Sequence, residues 1–138
     1  MPRATNGTER ALKALGLAAA SATAALAFPL TATAASTAIP SCTTTDGVIP
    51  ASSSGSHYCV MGVGNGGSPV TALQRSLRAC EGQSIAVDGI YGPATRNAVL
   101  NVQRRAGISQ DGVYGPQTRN AMSWHVGADC VGYQYGWG

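Results

Sequence analysis

A twelve-residue block occurs twice in this chain, 23 positions apart. The copies are Asp88-Gly-Ile-Tyr-Gly-Pro-Ala-Thr-Arg-Asn-Ala-Val99 and Asp111-Gly-Val-Tyr-Gly-Pro-Gln-Thr-Arg-Asn-Ala-Met122, and nine of twelve positions are identical. Of the differing pairs, Ile90/Val113 and Val99/Met122 stay apolar and Ala94/Gln117 does not. A shorter echo links Val70-x-x-Leu73-Gln74-Arg75 with Val99-x-x-Val102-Gln103-Arg104. One helix–loop unit is therefore used about twice, with overlap. That is fewer than the roughly three units an open solenoid needs, so the pattern predicts a small closed domain.

Local signals fill in the unit. Ser68-Pro69 reads as an N-cap followed by proline at the first helical position. Val70, Leu73, Leu77 and Cys80 then form one helical stripe, ended by Gly82. Ile85 and Val87 lead as an extended piece into the Asp88-Gly89 turn. Gly92-Pro93 opens a second helix, with Thr95, Ala98, Val99, Val102 and Ala106 inward and Gly107 as terminator. Gly115-Pro116 opens a third, with Thr118, Ala121, Met122 and His125 on one side, closed by Gly127. The expected fold is mainly α: a small three-helix domain with two similar DG-x-YGP loops and disulfide-stapled flanks.

The flanks differ in composition. Met1–Lys13 is basic, Leu15–Leu30 is uncharged and apolar, and Ala32-Thr33-Ala34 has the small-x-small form of a cleavage site. This is the layout of a signal peptide over residues 1–34. The apolar run is Ala/Ser/Thr-rich and interrupted by Pro29, a poor match to a membrane span. The expected product is secreted, with no membrane contact after cleavage, and monomeric. Residues 35–66 are Ser/Thr/Gly-rich and read as a linker or a cysteine-held loop, and 67–127 as the domain. Residues 128–138 form an aromatic tail with Tyr133, Tyr135 and Trp137 on alternate positions. Past Gly16 the chain has 6 Arg against 5 acidic residues and no Lys, too few clustered cations for a nucleic-acid partner.

Cys42, Cys59, Cys80 and Cys130 all lie in the mature part, an even count that reads as two disulfides in an exported chain. Four cysteines leave three pairings open. Of these, Cys42–Cys59 with Cys80–Cys130 is the one expected. No CxxC spacing occurs and only His57 and His125 could add nitrogen ligands, so neither metal nor cofactor is expected.

The motifs Val70-x-x-Leu73-Gln74, Asp88-Gly-Ile-Tyr-Gly-Pro-x-Thr, Val99-x-x-Val102-Gln103 and Asp111-Gly-Val-Tyr-Gly-Pro-x-Thr resemble the peptidoglycan-binding-like domain of bacterial secreted wall proteins. The resemblance covers about Gly67 to Val126. It implies a three-helix fold that attaches a protein to the cell wall through the glycan strand or the stem peptide, without catalysis.

Candidate contacts follow. Arg96-Asn97 and Arg119-Asn120 recur at matching sites and could pair with carboxylates or phosphates. Tyr91 and Tyr114 could stack on sugar rings, although their position before Gly-Pro also suits packing against the helices. Trp124 and the tail aromatics are a second place for glycan contact. Asp88 and Asp111 could form an acid/base pair, but Asp before Gly in a turn serves nearby backbone N–H groups. Gln74 and Gln103 are expected to satisfy loop backbone groups. The alternatives are a small wall hydrolase using Cys59 with a histidine, and a secreted inhibitor or adaptor using the domain as a scaffold.

Overall fold

A computed structural model describes residues 38–136; residues 1–34, read above as a signal peptide, residues 35–37, and Trp137 and Gly138 lie outside the described residues. The two Gly-Pro pairs start helices where the sequence places them. Helix α1 is Ser68–Ala79, α2 is Pro93–Ala106 and α3 is Pro116–Ala121. Gly92 and Gly115 are the N-caps of α2 and α3, and Gly107 (φ 69) closes α2 in the left-handed region. At α1 the cap is Gly67, not Ser68, and no side chain caps the helix.

The mainly-α expectation fails. Two antiparallel hairpins flank the helices. Strands β1 (Thr44–Asp46) and β2 (Ile49–Ala51) pair through a turn at Gly47 (φ 62). Strands β3 (Ser123–Val126) and β4 (Asp129–Gly132) pair through Gly127 (φ 63), and a helical turn α4, Tyr133–Gly136, follows. The third helix thus stops at Ala121, and His125 stands in a strand instead of on one side of that helix.

The apolar spacing of Thr118, Ala121, Met122 and His125 fits a helix, but Trp124 and Val126 are weaker helix formers than strand formers. Distant partners then decide. Trp124 is fully buried, edge-on to Tyr114 at 6.0 Å between ring centroids. Such aromatic pairs add about 0.5–1.5 kcal/mol beyond area burial. The backbone N–H of Ser123 donates to Glu81 Oε1 (2.6 Å) and that of His125 to Ser76 Oγ (3.0 Å). The Cys80–Cys130 disulfide ties the hairpin to the end of α1. These contacts replace the hydrogen bonds a longer α3 would have made.

The segment read as a linker belongs to the core. Cys42, Ile49, Cys59 and Met61 pack with Val70, Leu73 and Leu77 of α1 and Ala98, Val99 and Val102 of α2. Cys42 is bonded to Cys59, so both expected disulfides are present. Beyond the hairpin the segment runs across both repeat loops: Met61 bridges Tyr114, and Gly66 bridges Ile90.

Candidate peptidoglycan-binding site

Each repeat loop is fastened by one buried glutamine from the preceding helix. Gln74 Nε2 donates to Asp88 Oδ1 (2.9 Å), to the Ile90 carbonyl (3.0 Å) and to Thr95 Oγ1 (3.0 Å). Its Oε1 accepts from the backbone N–H groups of Asp88 and Gly89. Gln103 Nε2 repeats the pattern on Asp111 Oδ1, the Val113 carbonyl and Thr118 Oγ1, while its Oε1 accepts from Gly112 N–H. Two amide protons face three acceptors in each copy, so one proton is shared. Asp88 and Asp111 each also accept from the backbone two residues on. The Ile90 N–H, and after it the Gln74 amide, hold the Asp88 carboxyl below the usual carboxylate range. This is why the sequence repeats Gln, Asp-Gly and Thr together: they form one latch.

Both latches need glycine at the second loop position, where Gly89 has φ 76 and Gly112 φ 71. A Cβ at Gly89 would lie 3.0 Å from Thr71 Oγ1; at Gly112 it would meet Arg96 Cγ at 2.7 Å.

The candidate contact residues scatter. Tyr91 and Tyr114 are 1% and 0% exposed, so neither offers a ring face to a sugar. Tyr91 donates its hydroxyl to the Gly112 carbonyl (2.8 Å), which ties the first loop to the second. The Tyr114 hydroxyl has no partner among the described residues. Burial raises both hydroxyl pKa values well above the ordinary tyrosine value. Arg96 and Asn97 are exposed, with Arg96 laid over Gly112. Arg119 is held differently: Nη1 donates to the His57 carbonyl (2.8 Å), Nε donates to Asn120 Oδ1 (3.0 Å), and the guanidinium lies 4.1 Å from the Tyr133 ring centroid. The two Arg-Asn pairs therefore do not present matching contacts. His57 bonds Asp46 Oδ2 and the Tyr133 hydroxyl, both at 3.1 Å, while Cys59 is held in its disulfide. Among the described residues no group of three potential metal ligands comes together.

What the repeat does present is a pair of equivalent clefts beside the latches. The first, about 240 Å³, is lined by Asp88, Ile90, Pro93 and Thr95 with Gln74 beneath. The second, about 330 Å³, is lined by Asp111, Val113, Pro116 and Thr118 with Gln103 beneath. These are the same positions 23 residues on, except for the glutamines. Only the second has an additional wall, made by Ile39, Tyr58 and Val60. A third cleft, of about 270 Å³, lies between β1–β2, α1 and β3 and contains Arg75 and His125; it has no counterpart in the repeat.

Residues 66–122 match the family model described as "Putative peptidoglycan binding domain". This segment is a member of that family. No curated protein matches the chain. Among solved structures, it is 38% identical to a fused Zn-dependent amidase/peptidase/peptidoglycan-binding-domain protein from Clostridium acetobutylicum ATCC 824 (TM-score 0.43, covering 44% of this chain and 27% of that one). It is also 38% identical to a peptidoglycan-binding protein from Clostridioides difficile solved with glutamine hydroxamate (TM-score 0.44, covering 46% of this chain and 39% of that one). It is 33% identical to the SleB N-terminal domain (TM-score 0.43, covering 45% of this chain and 85% of that one). The chain thus spans about a quarter of the first of these and under half of the second.

The peptidoglycan-binding domain contains both latches and both clefts. The extra wall of the second cleft, Ile39, Tyr58 and Val60, comes from outside it. Sequence reasoning missed that wall and Gln117. The exchange of Ala94 for Gln117 in the repeat was a signal for the latter. Nothing local marked Tyr58, which stands in a segment without periodicity.

Proposed function

We propose that this chain is a non-catalytic peptidoglycan-binding module, exported through its N-terminal signal and acting at the cell wall as a monomer. The match of residues 66–122 to the peptidoglycan-binding family carries this reading. The chemistry of the candidate catalytic groups supports it. Cys59 is tied to Cys42, and each loop aspartate has its Oδ1 held by its own latch and turn. Two disulfides suit an oxidising, extracellular setting. Two clefts on one domain would also let weak contacts to a polymer add through effective concentration.

The test is sedimentation with purified insoluble cell wall. The secreted chain is expected to pellet at low and moderate salt and to release no soluble wall fragments. Retention in the supernatant overturns the binding reading; soluble muropeptides would identify an enzyme.

A further inference from the structure

We infer that the two loop clefts form one groove for the glycan strand of peptidoglycan, with Tyr58 of the N-terminal segment stacking on a sugar ring in the second cleft. This rests on the wall-binding reading and names the part of the wall that is bound.

The first support is charge. Peptidoglycan offers two chemistries: amino-sugar chains rich in hydroxyl and acetamido groups, and stem peptides ending in carboxylates. A carboxylate seeks a guanidinium or ammonium group. Neither cleft has one. Each is lined by a single acidic or basic residue, Asp88 in the first and Asp111 in the second. A carboxylate whose Oδ1 is taken by the latch still has Oδ2 to accept from a sugar hydroxyl. The candidate cations lie elsewhere: Arg75 in the third cleft, Arg96 over Gly112 and Arg119 on Tyr133.

The second support is where apolar surface is left uncovered. Among the described residues the exposed large hydrophobic side chains are Ile39, Tyr58, Val63, Ile90 and Val113. Three of them, Ile39, Tyr58 and Val113, line the second cleft, and Ile90 lines the first. Val63 lies in the stretch that joins Met61, paired with Tyr114, to Gly66, paired with Ile90. Tyr58 is 56% exposed beside a buried, disulfide-bonded Cys59. A flat ring on a fixed backbone, with a polar edge, suits the face of a sugar.

The third support is periodicity. From Met61 to Gly66 the chain can reach at most about 18 Å, so the two loops are anchored a short run of sugar rings apart. Two equivalent clefts that close together fit a ligand that repeats along its length. The glycan backbone does so, whereas stem peptides branch from it.

The experiment uses the full secreted chain with both disulfides intact, bound to insoluble peptidoglycan. The competitors are peptide-free glycan strands and free stem peptides. Glycan strands are expected to displace the protein and stem peptides to leave it bound. Tyr58→Ala should raise the half-saturating wall concentration about tenfold, equivalent to about 1.4 kcal/mol, while Tyr58→Trp keeps binding near the original level. Because Tyr58 is exposed, both variants should melt near the parent temperature. Arg75→Ala should bind as the parent does. Displacement by stem peptides alone, or unchanged binding of a folded Tyr58→Ala, overturns the glycan groove while leaving wall binding intact. Failure of the parent chain to sediment with wall overturns both.

Discussion

The first and second repeat loops share nine of twelve residues and the same glutamine latch, yet their surroundings differ in three ways. The first is followed by a 14-residue helix, the second by a 6-residue one that gives way to a strand. The first loop's tyrosine bonds the second loop's backbone, whereas the second loop's tyrosine hydroxyl is buried without a partner among the described residues. Ile39, Tyr58 and Val60 line the second cleft and have no counterpart in the first. Identical local chemistry thus fixes the loop itself, and neighbours distant in sequence assign each copy its role.

The sharpest way to break this comparison is at the loop glycines. Gly112→Val combines a left-handed backbone with a clash against Arg96 and should cost about 4 kcal/mol in urea unfolding. Gly89→Val, whose one tight neighbour would be the Thr71 hydroxyl, should cost about 2 kcal/mol. Equal losses would mean that Arg96 adds nothing to the difference. Next come the latches. Gln74→Ala strands the part-buried N–H groups of Asp88 and Gly89, Gln103→Ala the buried N–H of Gly112, and each should cost about 3 kcal/mol. A latch that can be removed without loss would refute the equivalence of the copies.

The tyrosines should diverge. Tyr91→Phe removes the bond to the Gly112 carbonyl and should cost about 1–2 kcal/mol. Tyr114→Phe removes only an unpartnered hydroxyl, so its thermal midpoint should stay level or rise slightly. A clear loss in Tyr114→Phe would reveal a partner for that hydroxyl.

The smallest effects concern pH. Asp88 has its pKa depressed on folding, so its stabilisation is present above about pH 4 and lost as pH falls below that. Asp88→Asn should flatten this acid limb in a series of denaturation midpoints. The buried tyrosines act in the opposite direction. Their pKa values are raised on folding, so stability is present below the ordinary tyrosine pKa of about 10 and falls as pH rises past it.

Much of the domain was legible because its determinants are local. Proline after glycine opens α2 and α3, Gly107 closes α2, and Asp-Gly pairs make both turns. The role of Gln74 and Gln103 could be read because a polar side chain beside an apolar stripe must find partners. The candidate contact residues were less legible. Arg96 and Arg119 matched in sequence, but Arg119 is drawn to the His57 carbonyl and Tyr133, partners with no equivalent near Arg96. Tyr91 and Tyr114 looked amphipathic, and burial took them out of reach of a ligand.

The sequence alone determined the duplicated loop, its turns, the starts of the helices and the supply of cysteines, since each depends on residues within one or two turns of chain. Tertiary structure decided what becomes of Ser123–Val126 and of the segment before Gly67. The helix-compatible spacing of the former yielded to Glu81, Ser76 and Cys80, which lie over 40 residues away. The latter became part of the core and the wall of a cleft through Cys59, Met61 and their cross-chain partners. Such choices rest on which buried polar groups and apolar faces meet in space, and no window along the chain contains both sides of those contacts.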